Sequence, residues 1–180
     1  MVYTLALYVH LCALFAAFAA SALTHFGEAR MARARDGAEV AEWLRFVRGV
    51  AVTFPLAILV LVASGSYMVS AASISWESGW LVASLAGVGV LALSGPLVIG
   101  ARMRRLGQAL AAGDRAEALR LGGDPVMRCA AWGNTGLALG IAFLMVARPP
   151  LAVSVAVLAA GWLLGVAVAR PLRKPEAATA

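Results

Sequence analysis

Five stretches of this chain, 1–27, 49–76, 78–101, 129–147 and 149–169, contain no Asp, Glu, Lys or Arg. A helix needs about 20 predominantly apolar residues to cross a hydrocarbon core of about 30 Å, and every stretch meets or approaches that length. The rest of the composition agrees. The chain is 62% hydrophobic and 13% charged, against roughly 45–50% and about 25% in soluble domains. A surface so poor in charge cannot stay dispersed in water, and the same figures exclude disorder, a coiled coil and a secreted disulfide scaffold. The alternating pattern of barrel strands is missing, so backbone polar groups must be satisfied inside helices. The expectation is an all-α polytopic bundle of five transmembrane helices, with spans at about 3–26, 50–72, 79–101, 127–147 and 150–170. They form one domain, 1–172, followed by a flexible cytoplasmic tail at 173–180.

The basic residues choose an orientation. Fourteen of the fifteen Lys and Arg fall in 28–48, 102–128 and 170–174, leaving only Arg148 on the other side. The positive-inside rule then puts the N-terminus outside and the C-terminus in the cytoplasm, in a bacterial inner membrane. No basic residue precedes the first apolar region, which suits an exported N-terminus better than a cleaved signal. Tyr3, Tyr67, Trp76 and Trp80 lie near the expected outer boundary, and Trp43 and Trp132 near the inner one. The net charge of +6 serves topology and contact with anionic membrane lipid, not nucleic acid.

The connections also carry signals. Asp36-Gly37 breaks the first. In the second, Gly113 ends one helix, Asp114 with Glu117 forms a capping pair, and Asp124-Pro125 starts span 4. Ala29-Arg30-Met31 and Ala101-Arg102-Met103 each close an outside-to-inside helix, which suggests a parallel repeat of helices 1–2 and 3–4. Pro55 and Gly95-Pro96 should interrupt spans 2 and 3. Gly136 with Gly140, and Gly161 with Gly165, offer close-packing faces within the chain, in a homodimer or in a larger membrane complex. Cys12 and Cys129 lie a leaflet apart, so no disulfide is expected between them.

Chemistry has few carriers here. No nucleotide-binding loop, serine-hydrolase elbow, HExxH or Cys-x-x-Cys is present, which removes classical hydrolase and nucleotide-driven functions. No reaction can be assigned. The only histidines, His10 and His25, are about 22 Å apart along helix 1 and cannot share a metal. His25 sits at the inner boundary beside Thr24 and Glu28, where a solvated ring is expected. His10 lies inside the outer half of its span, where a polar ring needs a partner: a neighbouring helix, a metal or a heme. Met68 and Met145 stand at comparable depth as second heme ligands. Asn134 and Thr135 in helix 4, with Thr53 in helix 2, form a polar set suited to interhelical hydrogen bonds or to a substrate vestibule.

Three passages carry a resemblance: Tyr8-Val9-His10-Leu11; Gly65-Ser66-Tyr67-Met68 followed by Trp76 and Gly79-Trp80; and Arg102-Met103-Arg104-Arg105-Leu106 running through Gly113-Asp114 to Asp124-Pro125. Together they resemble an uncharacterised bacterial family of predicted integral membrane proteins. That family is similar to the copper-resistance-protein-D-like group and the membrane heme-containing protoporphyrinogen oxidases. The resemblance implies that His10 matches a heme-ligating histidine early in helix 1. The oxidases also use a lysine in a later membrane helix, whereas the sole lysine here is Lys174 in the tail. The functional expectation is therefore an integral membrane protein holding heme b through His10 as a redox or sensing component. The alternative is a small permease or an accessory subunit of a larger complex.

Overall fold

A computed structural model describes residues 1–169. The expected tail at 173–180, with Arg170, lies outside the described residues. Eight α-helices follow one another: α1 Val2–Met31, α2 Gly37–Ala51, α3 Thr53–Ala71, α4 Gly79–Ser94, α5 Gly100–Ala111, α6 Arg115–Gly122, α7 Pro125–Ala147 and α8 Leu151–Ala169. Grouped by continuity they make five segments long and apolar enough to span a membrane. No strand occurs among the described residues.

The interruptions have local causes. Pro55 lacks the N–H that would bond Ala51, and its ring crowds that carbonyl, so the helix breaks at Val52 and restarts as α3. Gly95-Pro96 is accommodated differently: Gly95–Ile99 widens into a π-helical turn that joins α4 to α5. Both interruptions were expected, and the structure locates the first one three residues before its proline.

Three aspartates start the helices at the arginine-rich end. Asp36 accepts the Glu39 N–H at 2.9 Å, Asp114 accepts the Glu117 N–H at 3.0 Å, and Asp124 accepts the Val126 N–H at 2.9 Å. Gly113, at φ 72°, ends α5 in the left-handed conformation that glycine adopts without strain. Asp114→Ala is expected to lower stability by about 1 kcal/mol, the usual worth of an N-cap. In a chain of this size that moves a melting temperature by about 2–4 °C, readable in detergent solution.

The same end has its own apolar core. Met31 of α1 meets Val40, Leu44 and Val47 of α2, Met103, Leu106 and Ala109 of α5, Ala118 and Leu121 of α6, and Met127 of α7. The two methionines of the Ala-Arg-Met pair thus enter one core. An Asp-x-Ala-Glu cap, at Asp36 and again at Asp114, follows each of them. The helix-1–2 and helix-3–4 halves therefore supply corresponding parts, although only Val52 separates α2 from α3 while Gly123 and Asp124 separate α6 from α7.

Within the apolar belt α1 packs on α3, while α7 packs on α8 and α4; α1 and α7 join the two groups. At the far end Val69, Trp80 and Leu81 form a small core, adjoining one of Ala83, Leu137, Ile141, Leu144 and Leu158. Trp80 is buried in it and also lies under the Arg148 guanidinium, 5.5 Å from the ring centre. The glycine pairs meet each other: a Cβ on Gly161 would stand 2.5 Å from the Gly136 carbonyl oxygen, so these helices touch backbone to backbone. The turn between them is closed by Arg148 in the left-handed region, with the Ser154 hydroxyl within 3.1 Å of the carbonyls of Pro149 and Pro150. Cys12 and Cys129 are both free thiols.

Candidate functional sites along the first helix

Helix α1 places its polar side chains at two depths. Its 30 residues extend about 45 Å at 1.5 Å per residue, more than an apolar belt needs. The upper position is His10. Its Nδ1 lies 3.0 Å from the Ser64 hydroxyl of α3. Ser64 in turn donates its own proton to the Val60 carbonyl at 2.6 Å, as serines in apolar helices do. That serine can therefore only accept from the imidazole. His10 carries its proton on Nδ1, and Nε2 keeps a lone pair. The Nδ1–Cε1 edge rests on Gly65: a Cβ built there would be 3.4 Å from Cε1 and 3.7 Å from Nδ1, with Nε2 beyond 4 Å. Nε2 is thus the ring nitrogen farther from Gly65. Exposed Leu7 and Leu11 flank the ring along α1.

The two methionines are placed differently. Met68 lies one turn beyond Ser64 on α3, half-buried. Met145 packs into the far-end cores against residues such as Leu144 and Trp80. No hydrogen bond joins His10 to either of them among the described residues.

The lower position is a buried polar cluster where α1 meets α7. His25 Nε2 is 2.9 Å from Thr135 Oγ1, which also bonds Ser21 Oγ at 2.7 Å. The imidazole stacks on Trp132 with ring centres 4.0 Å apart and planes 13° from parallel. Toward the arginine-rich end, Glu28 brings a carboxylate oxygen 3.7 Å from His25 Nδ1. The His25 side chain is 11% exposed and Glu28 is 4% exposed. The expectation of a solvated His25 is corrected. Trp132 and Thr135 of α7 cover the ring. Both Glu28 oxygens, His25 Nδ1, Thr24 Oγ1 and the Arg128 Nε are buried without a hydrogen-bond partner among the described residues.

The polar set of Asn134, Thr135 and Thr53 is divided among faces. Adjacent positions on a helix point about 100° apart, so Thr135 faces α1 while Asn134 donates to Ser94 Oγ of α4 at 2.7 Å. Thr53 opens α3, with no side-chain hydrogen bond among the described residues. Sequence reasoning missed the lower cluster, although Ser21, His25 and Glu28 recur at i, i+4 and i+7 and so share one stripe of α1.

A buried carboxylate without donors is costly, on the order of 1–3 kcal/mol for an unmet polar group and more when charged. Glu28→Met keeps the volume and removes the carboxylate. It is expected to raise the melting temperature by about 2–4 °C. A fall would mean that the carboxylate has a bound partner in the folded protein.

No curated protein and no solved structure matches this chain. A family model described as predicted integral membrane protein (DUF2269) matches residues 4–149, that is α1 to α7 and the turn after them, leaving α8 outside the match. With its five spanning segments, the chain is a multi-pass membrane protein and belongs to that family of predicted integral membrane proteins.

Proposed function

We propose that this protein holds heme b through His10 and serves as a redox or sensing component of a bacterial inner membrane, with its N-terminus on the outer side. The carrying observation is the 3.0 Å contact of His10 Nδ1 with a serine hydroxyl whose own proton goes to Val60, from which the tautomer follows. Nδ1–H is committed to Ser64, and Nε2, farther from Gly65, keeps an unshared lone pair. A histidine whose second nitrogen donates to a fixed acceptor is a ring held in one orientation and made more basic, as heme and metal ligands are. His10 would supply the heme iron with one nitrogen ligand. Met145 is spent on packing, and Met68 belongs to the helix on which His10 already rests.

A bound heme would supply a one-electron couple or a gas-binding iron, tuned by its axial ligand and by burial. The residues of this chain would orient the imidazole through Ser64 and Gly65. An absorbance spectrum of protein purified in mild detergent from heme-replete cells, oxidised and then dithionite-reduced, tests the reading. A Soret band that sharpens and shifts on reduction is expected; a preparation without one overturns it.

A further inference from the structure

The arginine-rich end contains a cavity of about 430 Å³, lined by Arg102, Arg105, Arg120 and Leu121 and closed by Gly123, Asp124 and Pro125. Topology alone asks only that arginines lie near this end of the spans; it does not ask that three of them converge on one hollow. Two are held in place. Arg102 is ion-paired to the nearly buried Asp124. Arg120 makes two N–H bonds of 2.6 Å to Glu117, which hold the Glu117 carboxyl below the usual carboxylate range. Arg105 has no hydrogen bond or ion pair among the described residues. A guanidinium carries five N–H donors, so even the paired arginines keep donors to spend.

Asp124 and Glu117 each offset the arginine they bind, so the three guanidiniums keep one net positive charge, with Arg105 unpaired among the described residues. The first turn of α7, at Pro125, adds the positive end of its helix dipole. Exposed Val126 follows the rim on α7, and exposed Leu97 precedes Arg102 on the π-helical turn. Exposed apolar side chains thus stand in the same helical segments as the basic lining. This matches a ligand with an anionic head and an apolar body, and forked guanidinium donors suit phosphate oxygens.

We propose that this cavity binds a phosphate group, supplied by the headgroup of an anionic phospholipid. The inference is independent of heme at His10. The test uses the full chain in an uncharged detergent, offered phosphatidylglycerol or phosphatidylcholine of identical acyl chains, with bound lipid counted by native mass spectrometry. Phosphatidylglycerol is expected to be retained about tenfold better than phosphatidylcholine, and Arg105→Glu to remove most of that preference. Arg105 is exposed, so the variant should fold, which an unchanged melting temperature confirms. Equal retention of the two lipids, or an Arg105→Glu protein that retains phosphatidylglycerol like the parent, overturns the proposal. Displacement of phosphatidylglycerol by millimolar inorganic phosphate, with the same dependence on Arg105, keeps the phosphate site and overturns the lipid as its source.

Discussion

His10→Ala should yield a folded, colourless protein, while Ser64→Ala should yield a coloured one with weakened heme retention. The difference follows from the direction of the hydrogen bonds. In the proposed reading His10 would offer Nε2 to the heme iron, so its removal would delete the ligand. Ser64 only accepts the Nδ1 proton, so its loss frees the ring to rotate and lowers its basicity. Changes of that kind cost about 10–100-fold in metal affinity. Pyridine-hemochrome quantification across a detergent wash gives the retention, and a redox titration should show a displaced midpoint for Ser64→Ala. A purely packing role for His10 predicts the opposite pattern: no band in either protein, and a lower melting temperature for both. A band that survives His10→Ala places the heme elsewhere and overturns the reading.

What the sequence made legible, and what it did not, divides along the range of the interactions. Spans, caps and breaks are local. A charge-free run, an Asp followed three residues later by a Glu, and a proline inside an apolar run each act within a turn or two, and each leads to the element observed. The partners of the polar side chains are not local. Ser64 stands 54 residues from His10, and Thr135 stands 110 residues from His25. Only the packing of α1 between α3 and α7 decides which hydroxyl meets which ring. Glu28 escaped the reading for the same reason. The charge that marked the end of the first span belongs to a helix continuing to Met31, and nothing in its spacing tells that the fold buries it together with His25. The stripe Ser21, His25, Glu28 was visible in helical spacing, but its meaning depended on Trp132 and Thr135 covering it.

The glycine pairs pose the same problem in its sharpest form, because a spacing of four suits contact inside one chain as well as contact between chains. The structure closes them on each other, which makes Gly161→Val a severe substitution. A Cβ there stands 2.5 Å from the Gly136 carbonyl oxygen and 3.2 Å from its carbon. Both atoms are backbone, so no flexible side chain can yield. Relief requires α7 and α8 to separate, which also strips Leu158 from Ile141 and Leu144. The expected cost is at least about 3 kcal/mol, at the upper end for overpacked cores, or a fall in melting temperature of about 6–12 °C. Gly89→Ala is the matched control. Nothing lies within 4 Å of its added Cβ, and alanine should stabilise α4 by about 0.5–1 kcal/mol. Size-exclusion chromatography with mass detection, run beside the melting curve, separates the two uses of the glycines. If they serve a subunit interface, Gly161→Val keeps its melting temperature and loses only an oligomer. If they close α7 on α8, the monomer itself melts early and its oligomeric state is unchanged until it does.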